Sequence, residues 1–376
     1  MTRGLRAAPI LAAHLAACGS DGVPAAAPVG GSTLRIPAGA GPASVALLDV
    51  DGDRRLDLVV ANDSGDDASL RFGDGQGAFS SERRLRAGTM PVDIAAGDFD
   101  ADGRPDLAFA NHETSLVTVL LAAGGFAPAP GSPFPSGGRP HIHSVGAGDL
   151  DADGHLDLVT ESVDTDTVQV LFGEGGGRFA PGIGFRAGRR PYFRLRVADV
   201  DADQRPDVIV PNSGEGTLSV LVADGRGGLV PMPGSPFAAG REPFSVAAGD
   251  FDGDGRVDLA SAHPSQGSVS VLLAGAVGFR PAAGSPFRAG SDPTNLATGD
   301  VDGDGVVDLA VSNFSSNDVA LLLSDRRATP GARVRMLPVG RRPQGLALGD
   351  LDDDGRADLV VANFLDNDVS VWLSVP

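Results

Sequence analysis

Asp300-Val-Asp302-Gly-Asp304-Gly305-Val-Val-Asp308-Leu309 places four carboxylates at positions 1, 3, 5 and 9 of a ten-residue stretch built around glycine. Four acids this close repel one another unless a cation sits among them. Oxygen-only ligands on a short, sharply turned loop suit a hard ion of flexible coordination, calcium rather than zinc or copper. The chain writes this stretch seven times, beginning at Asp49, Asp98, Asp149, Asp199, Asp250, Asp300 and Asp350, with successive starts 49, 51, 50, 51, 50 and 50 residues apart. So regular a period sets the fold before any other argument.

The expected ion ligands are Asp49, Asp51, Asp53 and Asp57 in the first loop, and Asp98, Asp100, Asp102 and Asp106 in the second. Asp149, Asp151, Asp153 and Asp157 serve the third, and Asp199, Asp201, Asp203 and Asp207 the fourth. The remaining three take Asp250, Asp252, Asp254 and Asp258; Asp300, Asp302, Asp304 and Asp308; and Asp350, Asp352, Asp354 and Asp358. These account for 28 of the 49 acidic residues, leaving 21 acids against 30 bases. The formal charge of −19 is therefore concentrated in the loops, and up to seven calcium ions nearly neutralise it. No basic stripe with interleaved aromatics appears, so nucleic acid is not an expected partner.

Between the loops every unit has the same parts. A short run after a lead-in proline, as in Pro343-Gln-Gly-Leu-Ala-Leu-Gly-Asp350, leads into the acidic loop. Asp358-Leu-Val-Val-Ala-Asn363 and Asp368-Val-Ser-Val-Trp-Leu373 follow, and a Gly-rich turn such as Gly173-Glu-Gly-Gly-Gly-Arg-Phe179 opens the last part. Runs of four to seven residues rich in Val and Leu, punctuated by Gly, Asp and Asn, predict short antiparallel strands, and no window sustains a helical period. The expected fold is all-β: a seven-bladed β-propeller of four-stranded antiparallel blades over residues 32–376, one repeat domain despite the length. The last unit stops in its third strand, while Ser32-Thr-Leu-Arg-Ile-Pro37 sits where Arg333-Val-Arg-Met-Leu-Pro338 precedes the seventh loop. The N-terminal strand is therefore expected to complete the last blade and close the ring.

Cys18 is the chain's one cysteine. It follows Leu15-Ala16-Ala17, an apolar run from Ala7, and Arg3 and Arg6, the order of an export signal. Leu-Ala-Ala-Cys resembles the bacterial lipobox, which implies a signal peptide over residues 1–17, a lipidated Cys18 and a flexible tether over 18–31. The expected location is the bacterial cell envelope, lipid-anchored, or secretion where the lipobox is not used.

The first half of the acidic loop is shared with an EF-hand, but the bidentate Glu an EF-hand needs at position 12 is replaced by Val60, Phe109, Thr160, Val210, Ser261, Val311 and Val361. The flanks are strands. Asp-x-Asp-x-Asp-Gly-x-x-Asp-Leu between the first two strands of a blade resembles the FG-GAP/VCBS repeat family, related to the propeller of integrin α subunits and to fungal propeller lectins. The resemblance covers residues 32 to 376 and implies a seven-bladed calcium-binding propeller, often one for adhesion or ligand binding. Arg54 and Gln204 break the pattern at position 6, where glycine supplies positive φ, at a cost of roughly 1 kcal/mol each. Ion occupancy is least expected in those two loops. Gly-Ser-Pro-Phe at 131–134, 234–237 and 284–287 resembles lactonase-type and YVTN propellers.

Seven equivalent loops point to bracing rather than chemistry, which moves the search for function to the opposite face, with the lead-in prolines and the loops after Asn62, Asn111, Asn212, Asn313 and Asn363. From the lead-in proline to the first acid there are 7 residues in five units, but 9 from Pro140 and 8 from Pro191. The additions carry His141, His143, Tyr192, Phe193 and Arg194, the expected ligand site at the channel mouth between the third and fourth blades. With Arg139, Arg189 and Arg190 nearby, an acidic sugar or a carboxylate peptide is the expected ligand. His141 and His143 lack a third placed ligand for a metal site, and His112, His155 and His263 read as single, solvated loop residues. The functional expectation is a monomeric binding or adhesion module for an extracellular glycan or protein. A lactonase- or polysaccharide-lyase-type enzyme and a purely structural surface lipoprotein are the alternatives.

Overall fold

The computed structural model describes residues 33–138, 141–325 and 328–375. The signal, Cys18 and the tether lie outside them, as do Arg139 and Pro140. Seven blades follow one another in the chain, each a sheet of antiparallel strands in sequence order. Blade 1 consists of Pro42–Leu48, Asp57–Asn62, Asp67–Arg71 and Arg83–Leu85. Blade 7 consists of Pro343–Gly349, Asp358–Asn363 and Asp368–Trp372, with Thr33–Pro37 as its fourth strand. The register runs from Thr33 opposite Trp372 to Pro37 opposite Asp368. Arg35 pins that pairing through hydrogen bonds to Asp366 and Asp368. Helix is confined to three single-turn 3-10 segments among the described residues.

The second strands show why the sequence folds this way. All six residues of Asp358–Asn363 are buried, so the strand reads as a continuous apolar run instead of an alternation. The period of two is nevertheless present: Leu359 and Val361 pack towards blade 6, whereas Val360 and Ala362 pack towards blade 1. Leu58 and Val60 against Val59 and Ala61 divide blade 1 in the same manner. The core therefore consists of seven clusters among the described residues, one at each seam between neighbouring blades. First strands of consecutive blades are neighbours all round the ring and surround its axis.

The outermost strand departs from a plain four-strand unit in blades 2, 4 and 5. There it is split in two, as at Ala127–Pro128 and Phe134–Pro135, both paired to the third strand. The three Gly-Ser-Pro-Phe stretches fill these breaks. Ser132, Ser235 and Ser285 accept the third-strand N–H of Val119, Val220 and Val271, at 2.9–3.0 Å, in place of the interrupted ladder.

Candidate ligand site at the channel mouth

Two sets of polar residues stand out, at opposite ends of the first strands. The acidic loops occupy one. In the sixth, Asp300 Oδ1 accepts the N–H of Gly303 at 2.7 Å and Oδ2 that of Gly305 at 2.8 Å, which winds the loop about the carboxylate. Asp308 is fully buried at the start of its strand and accepts the N–H of Val301 at 2.9 Å and of Ser324 at 2.7 Å. The ninth-position acid thus ties the loop to the third strand, and Asp57, Asp106, Asp157, Asp207, Asp258 and Asp358 repeat the arrangement. Burial, opposed by these N–H donors and reinforced by the neighbouring acids, pushes Asp308 up to about 8. The same causes push Asp157 and Asp207 up to about 7, and Asp106 and Asp258 up to about 6.

These loops fit a hard cation. In the first four, three carboxylates each offer an oxygen within 4.8 Å of the others, as Asp98, Asp100 and Asp106 do. Asp302 Oδ1 and Asp352 Oδ1, both at the third position, are buried without a hydrogen-bond partner. Arginines relieve part of the charge: Arg104 pairs with Asp102, Arg205 with Asp203, Arg256 with Asp254 and Arg333 with Asp302. Arg54 and Gln204 hold φ of 73° and 71°, the left-handed conformation that Gly103, Gly154, Gly255, Gly305 and Gly355 adopt in the other loops.

The second set lies at the channel mouth, where lead-in segments meet the turns between second and third strands. Five residues before the first acid of each loop stand Ser44, Asp93, Ser144, Arg194, Ser245, Asn295 and Gly345. Four of these join across the ring. Arg194 Nη1 donates to Asp93 Oδ1 and to Ser44 Oγ, and its Nη2 donates to the carbonyls of Ala43 and Val92. Asp93 Oδ2 accepts Ser144 Oγ at 3.1 Å. Below this layer Arg196 replaces the Ala or Gly of every other blade and reaches to 3.5 Å from the Leu296 carbonyl of blade 6. Its enclosure among the first strands lowers its pKa, and Asp93 opposes that shift.

Above the layer the rings gather. Tyr192 and His143 are 4.6 Å apart between centroids, His112 and His143 4.6 Å, and His112 and His141 5.1 Å. Phe193 stacks on Phe244 at 4.1 Å. His141 and Phe193 have φ of 80° and 71°, so both added segments turn through the left-handed region, a conformation that costs free energy and gathers at ligand sites. Beneath His143 lies Glu161, fully buried, whose Oε1 is 3.0 Å from His143 Nδ1 and whose Oε2 accepts the Ser144 N–H at 3.0 Å. Burial drives Glu161 well above the carboxylate range and His143 down to about 4, and it also lowers His112.

The structure therefore brings His141, His143, Tyr192 and Phe193 together, and it commits Arg194 to the ion pair beneath them. The site is wider than the seam between blades 3 and 4, because blade 2 contributes His112 and blade 5 contributes Phe244. Two expectations are corrected. His112 is half-buried, its Nε2 3.0 Å from His143 Nε2. His263 is fully buried, between Ser261 Oγ at 3.1 Å and the Arg241 carbonyl at 2.9 Å, because it occupies the strand-end position that Asn holds in five other blades and Ser162 in the third. Those asparagines are clasps: Asn62 accepts the Gly39 N–H and donates to Asp67 and Ser69. Asp93, His112 and Phe244 carry no sequence expectation of belonging to the site, and Glu161 none beyond its register on this face. The signal for Glu161 was a register position occupied elsewhere by Ala61, Ala110, Pro211, Ala262, Ser312 and Ala362.

No curated protein matches the chain in sequence. Solved structures share its architecture at low identity. BBS1N, solved in complex with ARL6DN, superposes with a TM-score of 0.62 at 14% identity, over 90% of this chain and 93% of that one. Virginiamycin B lyase from Staphylococcus aureus gives 0.62 at 10% identity, over 92% and 100%. An Agrocybe aegerita lectin that recognises non-reducing terminal N-acetylglucosamine gives 0.53 at 17%, over 89% and 86%. At such identities the likeness is one of fold. A family profile described as the FG-GAP-like repeat matches residues 49–109, 98–160, 199–261, 250–311 and 300–361, each span running from one acidic loop through the next. With its acidic hairpins in register around a seven-bladed ring, the chain belongs to the FG-GAP-like repeat family.

Proposed function

We propose that this chain is an exported propeller, braced by calcium in its acidic loops, whose channel mouth binds an extracellular glycan or protein segment. The observation that carries the reading is the ring cluster of His112, His141, His143, Tyr192, Phe193 and Phe244, set on one side of an otherwise repetitive face. Rigid aromatic rings give a ligand apolar area at little entropic cost, and their polar tips fix its orientation. Arg189 and Arg190, both exposed beside Tyr192, favour an acidic sugar or a carboxylate. Bracing by calcium rests on the convergent carboxylates and orphaned oxygens of the loops. Export and anchoring rest on the sequence around Cys18.

An array of acidic and neutral glycans, followed by titration calorimetry, tests the reading. Binding is expected for the calcium-loaded protein and is lost in Tyr192→Ala. Equal binding by Tyr192→Ala and wild type refutes the site. A second reading, an enzyme, is favoured by one observation, the hydrogen-bonded line Glu161–His143–His112. A buried carboxylate that orients an imidazole is a common support for a general base. It predicts turnover of the bound ligand, where the binding module predicts saturable binding without product.

A further inference from the structure

A ligand-binding surface alone leaves the packing of the histidines unexplained. Glu161 sits beneath His143 at a position where the other six blades carry Ala, Pro or Ser, and besides accepting the backbone N–H groups of His143 and Ser144 it places a buried carboxyl oxygen on the His143 ring. A carboxylate on Nδ1 fixes the ring and leaves Nε2 as the outward, electron-donating nitrogen, the usual second layer of a metal-binding histidine. Here Nε2 meets His112 Nε2 at 3.0 Å. Two imidazole nitrogens held at 2.0–2.1 Å by one tetrahedral ion lie about 3.3 Å apart, so the pair is close to ligand spacing. His141, strained at φ 80°, offers a nitrogen within 4.8 Å of a His112 ring nitrogen.

We propose that His112, His141 and His143 bind one zinc-class divalent transition ion at the channel mouth, with Glu161 as a positioning residue. Imidazole donors suit zinc, nickel, cobalt or copper, whereas the all-carboxylate loops suit calcium, so two metal classes are sorted to the two ends of the first strands. The three imidazoles come from the turn after Asn111 and from the segment leading into blade 3, and no ligand-spacing rule links them in sequence. The site lies within the proposed ligand mouth, yet metal binding is measured without any ligand.

The full chain, stripped with EDTA and returned to millimolar calcium, is titrated with cobalt(II). One equivalent is expected to bind with visible absorption bands, and zinc displaces it. His112→Ala and His143→Ala each weaken binding at least 100-fold, and Glu161→Gln weakens it 10- to 100-fold, the range for an outer-layer partner. Tyr192→Ala removes a ring but none of the three proposed ligand nitrogens, so one equivalent of cobalt still binds, and failure of the ligand reading and failure of the metal reading are told apart. His112 is half-buried, so its variant keeps the test open should His143→Ala fail to fold. Absence of saturable cobalt or zinc binding overturns the proposal. So does binding that persists in both histidine variants, an adventitious surface ion.

Discussion

Arg194→Met is the substitution whose cost follows most directly from the geometry. Arg194 reaches from blade 4 to blades 1 and 2, with its side chain 13% exposed and that of Asp93 8%. Methionine keeps the length and the apolar stem of the arginine and removes the charge. Asp93 is then a buried carboxylate without a cation, a defect that costs about 3–5 kcal/mol. Because Asp93 retains Ser44, Ser144 and the Val145 N–H, the lower end of that range applies, about 3 kcal/mol. At about 2–4 °C per kcal/mol for a domain of a few hundred residues, the melting temperature falls by about 6–12 °C. The assay is a double-mutant cycle read by thermal melts in saturating calcium. Asp93→Asn alone leaves the guanidinium unpaired, whereas Arg194→Met with Asp93→Asn removes both charges of the pair, so the double variant is more stable than the summed singles predict. Additivity within about 0.5 kcal/mol, or a melting shift under about 3 °C for Arg194→Met, refutes the claim that this pair fastens the mouth.

Gln204→Gly is expected to stabilise the protein by about 0.5–1 kcal/mol, since relief of a left-handed side chain outweighs the added freedom of the unfolded chain. An added Cβ meets nothing within 4 Å at the equivalent Gly103, Gly154, Gly255 and Gly355, so the strain is in the backbone alone, and a lowered melting temperature contradicts it. EDTA is expected to lower the melting temperature by many degrees; an unchanged melt, with no calcium found by elemental analysis, sinks the ion reading. The metal-free chain also carries a pH signature. Folding raises Asp157, Asp207 and Asp308 from 3.8 to about 7, 7 and 8. A carboxyl raised by folding stabilises below its unfolded pKa and loses that contribution as pH climbs through the folded one. In EDTA the melting temperature therefore falls between pH 5 and pH 8, and in millimolar calcium, which binds the ionised form, the trend reverses; a pH-independent melt in EDTA contradicts the burial of these acids.

Repetition made the fold legible. Seven acidic loops in register fixed the blade count, and Leu-Val-Val-Ala runs between them fixed strands buried on both sides. The split fourth strands were not legible, because Gly-Ser-Pro-Phe reads as an ordinary turn until Ser132 is seen to replace a ladder bond. At the mouth, the added residues before the third and fourth loops pointed to His143 and Tyr192, but not to their neighbours. His112 is 31 residues from His143, and Glu161 is 18 away on a different strand; only the ring brings them together. A rule that treats lone histidines as solvated fails here because successive blades place their loops side by side.

In a repeat protein the scaffold is written in what recurs, and the chain's own chemistry is written in what does not. Aligned on the first acid of each loop, the position three residues earlier is Ala46, Ala95, Gly146, Arg196, Ala247, Ala297 and Ala347. Small residues leave the lumen open, and one arginine narrows it. Five residues earlier, five small polar residues and one glycine-sized gap accommodate a single guanidinium: Gly345 has Ser44 Cα 2.5 Å from where a Cβ would stand, so the layer is already close-packed around Arg194 and Asp93. The bulky and charged residues that break the repeat at the mouth thus come from blades 2 to 5, while the acidic loops at the other end depart from their common pattern only at Arg54 and Gln204 in the sixth position. On the reading proposed above, a ligand is held at the mouth, over a lumen that Arg196 narrows.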